Sequence, residues 1–215
     1  MTQPDLFSPA LAVAPAEPRR EGLTVLRGFA LPWVQDVLAA IRVVESAAPF
    51  RHMVTPGGHA MSAAMTNCGM GWVTDRTGYR YTDTDPVTGV RWPDLPEVVR
   101  ELAVAAAAEA GFAFAPDGCL INRYAPGAKM GLHQDLNETD KAAPIVSVSL
   151  GLPVVFQFGG ASRTGPTERI VLNHGDVVVW GGPSRMAYHG VLTLKDGLHP
   201  EVGRRRINLT IRKAR

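Results

Sequence analysis

Cysteine and long apolar runs are both scarce in this chain of 215 residues. The only two cysteines, Cys68 and Cys119, provide neither a disulfide framework nor a zinc motif, which favours a reducing compartment. The longest apolar run, residues 102–108, is far too short to cross a membrane. The first ten residues lack the basic segment of a signal peptide. We therefore expect a cytoplasmic protein with no membrane partner.

Charge of either sign is in little excess. The formal net charge is +2, and the pI of about 8.7 permits a polyanionic partner without requiring one. Because 46% of the residues are hydrophobic, the chain can bury one sizeable core. Residues 1–20 are rich in proline and alanine and lack periodicity, which predicts a flexible N-terminal tail ahead of a domain over residues 21–215.

Two helices and a set of strands are predicted within this domain. A strand is expected at residues 23–29 and a helix at residues 31–47, where apolar residues recur on one face. A second helix is expected at residues 96–111, between Pro96 and Gly111. From residue 118 onward, short segments rich in Val, Ile and Phe alternate with turn residues, which is typical of an antiparallel sandwich or barrel. The predicted class is mainly β with flanking helices (α+β).

The region between the two helices, residues 50–93, shows no regular pattern. It is rich in glycine, threonine, methionine and aromatic residues. Long loops of this kind in compact domains are usually functional or disordered. The aromatic residues favour a functional loop.

A histidine and an aspartate stand two positions apart in the segment GLHQDLNE, residues 131–138. On an extended backbone, His133 and Asp135 point to the same side and can converge on one metal ion. His189, at the start of a later strand-like segment, is the best candidate for a third ligand. Two histidines and one carboxylate form the facial triad of non-haem Fe(II) oxygenases. The residues by themselves leave a polar loop and a hydrogen-bonded histidine as alternatives.

The last strand-like segment, RRRINLTIR, separates polar from aliphatic side chains. A period of two places four polar residues on one face: Arg206, Asn208, Thr210 and Arg212. A solvated outer face would explain this pattern. If the face instead lines a barrel, its arginines need buried anions, and a dicarboxylate fits because guanidinium binds carboxylate through two hydrogen bonds. The same spacing in LINRY puts Asn122 and Tyr124 on one face as further donors.

These segments together resemble a known family. LINRYAPGAKMGLHQD, PIVSVSLGLPVVFQFGG, HGDVVVWGG, YHGV and RINLTIR are similar to the AlkB family of Fe(II)/2-oxoglutarate-dependent nucleic-acid dealkylating dioxygenases, in its bacterial DNA-repair type. MVTPGGHAMSAAMTNCG, with GW and GY after it, extends the likeness into residues 50–93. The resemblance covers roughly residues 22–212 and leaves the tail outside.

The resemblance implies a double-stranded β-helix, or jelly roll, in which two antiparallel sheets enclose the metal. It matches the iron ligands to His133, Asp135 and His189. It matches the contacts of 2-oxoglutarate to Asn122, Tyr124, Arg206, Asn208 and Arg212. It makes residues 50–93 a nucleotide-recognition lid. Its substrate contacts would be Met61, Met65, Trp72, Tyr79, Asn137 and Arg163.

The implied activity is oxidative demethylation of N-alkylated DNA bases such as 1-methyladenine and 3-methylcytosine. Fe(II), 2-oxoglutarate and O2 would be consumed or bound, and formaldehyde, succinate and CO2 released. The expected partner is alkylated single- or double-stranded DNA, with RNA as a second candidate and no obligate protein partner. Two residues depart from the repair members: Asn137 replaces an acid, and His59 replaces a tyrosine.

Two other functions remain open from the sequence. A 2-oxoglutarate-dependent hydroxylase of a protein or small molecule would share the triad and Arg206 but would not need the aromatic lid. A non-catalytic β-barrel module holding a metal such as zinc would need neither cosubstrate nor lid.

Overall fold

The N-terminal strand of the fold begins earlier than the sequence predicts. A computed structural model describes residues 16–215, so most of the predicted tail lies outside the described residues. The last four residues of that tail form strand β1 (Glu17–Arg20), which pairs with β2 (Leu23–Leu26). β1 is the edge strand of its sheet, where Pro18 is tolerated because an edge strand can lack an amide donor. These four residues therefore belong to the sheet rather than to the tail.

Both predicted helices are present. A 3₁₀ turn (Leu31–Trp33) leads into α1 (Val34–Ala47), and α2 spans Glu97–Glu109. Their apolar stripes are buried in one core cluster together with the aliphatic side chains of the large sheet. The helices therefore cover the outer face of the large sheet. No helix within residues 16–215 is long and apolar enough to cross a membrane.

The remaining strands complete the two sheets of a jelly roll and add one separate hairpin. They are β3 (Ala64–Gly69), β4 (Gly71–Asp75), β5 (Gly78–Thr82), β6 (Gly118–Tyr124), β7 (Met130–His133), β8 (Ile145–Gly151), β9 (Val154–Phe158), β10 (Glu168–Leu172), β11 (Val177–Trp180), β12 (His189–Val191) and β13 (Arg206–Arg212). A seven-stranded sheet has the order β1-β2-β11-β8-β13-β6-β3, and a four-stranded sheet has the order β10-β9-β12-β7. The sheets meet through a second core, in which the ring centroids of Phe156 and Trp180 lie 6.1 Å apart.

The region predicted to be irregular, residues 50–93, contains three strands. β3 pairs along its whole length with β6 in the large sheet, and β4 and β5 form a separate hairpin. The sequence pattern missed β3 because AMTNCG has no Val or Ile and is buried on both faces, so it shows no alternation. Only the hairpin and the loops beside it, rather than the whole region, can therefore act as a lid.

The β3–β6 pairing also places the two cysteines side by side. Cys68 stands directly opposite Cys119 in the register, and both are buried free thiols. Burial raises the pKa of Cys119 well above its ordinary value, with the neighbouring Cys68 acting in the same direction. A buried thiol of raised pKa is unreactive. Because Cys68 is buried against Cys119, we assign both cysteines to packing rather than to chemistry.

The hairpin is positioned by a close approach between Gly71 and the indole of Trp92. A Cβ atom on Gly71 would lie 2.2 Å from Trp92 Nε1, and Trp92 is itself buried and covered by the guanidinium of Arg51. We predict that Gly71→Ala destabilises the protein by about 1–3 kcal/mol, because the indole must move out of a packed site. Urea unfolding followed by circular dichroism measures this change.

Gly160 provides the matched control, because a Cβ there meets nothing within 4 Å. Gly160→Ala should change the free energy of unfolding by less than about 0.5 kcal/mol. Equal effects of the two substitutions would contradict the packing argument.

Candidate active site

Strand pairing brings the three predicted metal ligands together. β7 ends at His133, and Asp135 follows two residues later. β12 lies antiparallel to β7, with His189 directly opposite His133 and the two ring centroids 4.4 Å apart. Among the described residues, these three form the one group of His, Cys, Asp and Glu whose ligand atoms all lie within 4.8 Å of one another.

Both histidines present the same ring nitrogen to this point. The backbone carbonyls of Gly131 and Ala187 lie 2.9 and 3.0 Å from Nδ1 of His133 and His189, respectively. A carbonyl can only accept, so each Nδ1 carries the hydrogen and each Nε2 keeps a free lone pair. His189 Nε2 lies 3.6 Å from Asp135 Oδ2, an oxygen that has no hydrogen-bond partner among the described residues. Two imidazole nitrogens and one unpaired carboxylate oxygen are a suitable donor set for Fe(II).

The charge states of His189 and Asp135 suit a cation. Burial, together with the neighbouring His133, lowers the pKa of His189 to about 4. Burial alone would raise the pKa of Asp135, but Arg212 and the two histidines hold it below its ordinary value. Near neutral pH, His189 is therefore neutral and Asp135 is charged. Neither group has to lose a proton before a metal ion binds.

A buried arginine lies in the same cavity. Arg206 on β13 is 1% exposed, and its Nη2 donates to Ser149 Oγ at 2.8 Å, whereas Nε and Nη1 have no partner, and the guanidinium no anion, within residues 16–215. Burial lowers the pKa of Arg206, while Tyr124, whose ring the guanidinium covers at 5.2 Å, acts in the opposite direction. A buried cation with two free donors is costly unless an anion joins it. The site therefore suits the distal carboxylate of a dicarboxylic acid.

The amides near Arg206 are not equivalent. Asn208 donates from Nδ2 to Ser147 Oγ and to the carbonyl of Val148, and its Oδ1 accepts from Asn122 and Thr210. Its amide is thus fully bonded within the sheet, whereas Oδ1 of Asn122 is buried and has no partner in the described part of the chain. Asn122 therefore has a free group for a ligand, and Asn208 holds Asn122 in place.

One cavity of about 670 Å³ joins the metal-ligand group to Arg206, a volume typical of small-molecule sites. All of the predicted site residues line this cavity: the three metal ligands, the five 2-oxoglutarate contacts and the six substrate contacts. His59, by contrast, is exposed and is not among the described lining residues.

One of the predicted substrate residues lies on a different element from the one that the resemblance implies. Trp72 on β4 and Tyr79 on β5 stack with centroids 5.7 Å apart, and Trp72 Nε1 donates to Asn137 Oδ1 at 3.1 Å. Arg163 lies in the exposed loop between β9 and β10. Met65, expected on the lid, instead lies on β3 with no exposed surface. It belongs to the cavity wall because the large sheet extends into the region that looked irregular.

Three polar residues that the sequence does not predict lie behind the predicted metal ligands. Glu138 and Arg185 are 4% and 2% exposed, and Arg185 Nη2 donates to Glu138 Oε2 at 2.9 Å. Tyr81 donates to Glu138 Oε1 at 2.6 Å, and burial is the largest cause of its raised pKa. The only sequence signal was the position of Glu138, three residues after Asp135. Glu138 could not be recognised because its partners lie far away in the chain.

Comparison with known proteins agrees with this geometry. The family model described as the 2OG-Fe(II) oxygenase superfamily matches residues 22–212. The α-ketoglutarate-dependent dioxygenase AlkB of Salmonella typhimurium is 58% identical over 200 residues, which cover 92% of this chain and 93% of that protein. This chain is an AlkB-family dioxygenase. As a member, the enzyme uses Fe(II), 2-oxoglutarate and O2, so it is not a non-catalytic metal-binding module.

More distant relatives agree on the fold. The solved structure of OsALKBH1 has a TM-score of 0.82 at 28% identity. The match covers 93% of this chain and 100% of the OsALKBH1 chain. A protein named DNA N(6)-methyladenine demethylase ALKBH1D, from Arabidopsis thaliana, is 27% identical over 224 residues, which cover 90% of this chain and 49% of that one.

Proposed function

We propose that this enzyme removes N-methyl groups oxidatively from DNA bases. The observation that carries the proposal is the arrangement of a single cavity. Two of the three predicted metal ligands, Asp135 and His189, and the Arg206 guanidinium are buried in this cavity, and the stacked pair of Trp72 and Tyr79 also lines it. Tyr79 is 48% exposed, so an incoming base has an aromatic surface to meet. The substrate in the name of the Arabidopsis relative is consistent with this interpretation.

Each residue has a physical role in this proposal. His133, Asp135 and His189 would hold Fe(II), which with 2-oxoglutarate and O2 supplies the oxidation that turns an N-methyl group into formaldehyde. Arg206 would bind the distal carboxylate of 2-oxoglutarate, with Tyr124 and Asn122 as further donors and acceptors. Arg212 would lie near the carboxylate at the metal. Asn208 would position Asn122.

The lid hairpin would hold the base. A base inside a duplex cannot reach the metal ligands, so it must flip out or start from a single strand. Trp72 and Tyr79 would stack on it, and each stacked base is worth about 1–3 kcal/mol. Met61, Met65 and Arg163 would complete the pocket. We propose RNA as a second substrate, residues 21–215 together with strand β1 as one catalytic domain, and a cytoplasmic location.

A hydroxylase of a protein or small molecule is the alternative. It would use the same ligands and Arg206 but would have no need of the Trp72–Tyr79 stack at the cavity entrance. The two functions differ in one product, because only demethylation of a methylated oligonucleotide releases formaldehyde.

The first prediction tests the reaction and the ligands together. The purified enzyme with Fe(II) and 2-oxoglutarate should release formaldehyde from an oligonucleotide that contains 1-methyladenine. His133→Ala, Asp135→Ala and His189→Ala should each abolish this release, because two ligands cannot hold the metal in a reactive geometry. His174→Ala is the matched control, since His174 lies outside the cavity lining. Succinate formation without formaldehyde would instead favour the alternative hydroxylase.

The second prediction concerns the cosubstrate anchor. Breaking a buried charged pair from one side costs about 2–5 kcal/mol, so Arg206→Ala should raise the 2-oxoglutarate concentration for half-maximal rate steeply. Arg206→Lys should restore it only in part, because an ammonium cannot form two parallel bonds to a carboxylate. Ser149→Ala removes the present partner of Arg206 but leaves the guanidinium, so its effect should be small. An unchanged requirement in Arg206→Ala would exclude this anchor.

The third prediction concerns lesion preference. Trp72 Nε1 donates to Asn137 Oδ1, so the NH2 group of Asn137 points away from Trp72. An amide carries no charge. A carboxylate at this position would accept from Trp72 and also attract a cationic base. Asn137→Asp should therefore raise kcat/KM for 1-methyladenine and 3-methylcytosine relative to neutral 3-methylthymine. A charge term of about 1–2 kcal/mol corresponds to about 5–30-fold.

Two controls isolate the charge in this comparison. Asn137→Leu removes the bond to Trp72 without adding charge and should leave the ratio of the two lesion classes nearly unchanged. Oligonucleotide length, salt and pH must be matched, because backbone electrostatics and lesion protonation both affect rate. If Asn137→Asp changes both classes equally, residue 137 does not read base charge.

A further inference from the structure

Glu138 is a buried carboxylate that has no place in the cavity itself. Its side chain is 1% exposed, and neither Glu138 nor Tyr81 is among the described residues that line the cavity. Four groups surround it: the Tyr81 hydroxyl at 2.6 Å, Arg185 Nη2 at 2.9 Å, Arg212 Nε at 3.6 Å and Lys141 Nζ at 3.6 Å. A buried carboxylate is costly unless cations and hydrogen-bond donors surround it, as they do here.

Two of these partners also hold Asp135. Arg212 Nη2 donates to Asp135 Oδ1 at 2.8 Å, and Arg185 Nη1 donates to the backbone carbonyl of Asp135 at 3.1 Å. Each guanidinium therefore lies between Glu138 and Asp135. The charges of this buried cluster balance, because Glu138 and Asp135 are carboxylates and Arg185 and Arg212 are guanidiniums. Within the described residues, removing the charge of Glu138 would leave Arg212 with Asp135 as its only carboxylate partner and Arg185 with the backbone carbonyl of Asp135 but no carboxylate.

The other end of the network reaches the hairpin. Tyr81 on β5 stands directly opposite Trp72 on β4 in the register. This cross-strand pair bonds to two consecutive residues, because Trp72 Nε1 donates to Asn137 Oδ1 and Tyr81 donates to Glu138 Oε1. The hairpin that carries the aromatic stack is thus fastened to the segment that immediately follows Asp135.

We propose that Glu138 is a positioning residue that couples the β4–β5 hairpin to Asp135 through Arg185 and Arg212. The proposal rests on the proposed function only in taking Asp135 as a metal ligand. While Glu138 is charged and bonded to Tyr81, it interacts with both Arg185 and Arg212. Arg212 then draws less on the Asp135 carboxylate, and Asp135 Oδ2 can face the metal ion. When Tyr81 no longer donates to Glu138, the Arg212 guanidinium competes with the metal ion for the carboxylate of Asp135. A displacement of the hairpin therefore changes the metal affinity of the site.

The test measures metal affinity rather than turnover. Co(II) is titrated into the full-length, metal-free enzyme with 2-oxoglutarate present, and its visible absorption reports binding. The variants are Tyr81→Phe, which removes only a hydroxyl, Glu138→Gln, which keeps shape but not charge, and the two combined. Arg80→Gln is the control, because it breaks the exposed Arg80–Asp75 pair in the same hairpin without touching Glu138.

Glu138→Gln should weaken Co(II) binding about 10–100-fold, the usual range for partners of metal ligands. Tyr81→Phe should weaken it about fivefold, on the scale of one hydrogen bond. The double variant should be no weaker than Glu138→Gln, because the hydroxyl acts through the carboxylate. Arg80→Gln should bind as the wild type does.

Either of two results would overturn the coupling. One is unchanged Co(II) affinity in Tyr81→Phe, an isosteric variant that carries the test even if Glu138→Gln does not fold. The other is additive losses of affinity in the double variant, which would make the two residues independent. Failure of the metal assignment looks different, since wild type and His189→Ala would then bind Co(II) equally.

Discussion

The buried carboxylate of Asp135 is the group on which the arrangement of the active site depends. A carboxylate out of water is tolerated only when cations and donors surround it. Arg212 supplies one side at 2.8 Å, and the Nε2 atoms of His133 and His189 face the other. Arg212 in turn lies beside Glu138, which also accepts a hydrogen bond from Arg185. The open side is suited to a metal ion, which the enzyme needs as an Fe(II)-dependent dioxygenase.

Strand β13 gives this charged interior its rigidity. Its aliphatic face, formed by Ile207, Leu209 and Ile211, is buried against the core that contains both helices. Its polar face presents Arg206 and Arg212 to the cavity. Because one strand carries both faces, packing of the helices fixes the guanidiniums before any ligand arrives. Preorganisation of this kind lowers the cost of binding a cosubstrate.

Periodicity in the sequence was informative where an element has one buried face and failed where it has two. The apolar stripes predicted α1 and α2, and the polar and aliphatic alternation predicted β13. β3 has no such alternation, since neither face is exposed. β1 lies in a segment whose proline and alanine content suggested a tail, and only its pairing with β2 makes it a strand. Local composition could not supply that partner.

The sequence by itself determined which side chains are predicted to carry the chemistry. A spacing of two along an extended chain puts His133 and Asp135 on one side, and the ordered set of motifs predicts the cosubstrate contacts. Only the tertiary structure decided which groups meet them. Register between β7 and β12 sets His189 opposite His133, and folding of the hairpin brings Tyr81 to Glu138. The reason is physical: burial and strand register depend on the packing of the whole chain, and neither is written in neighbouring residues.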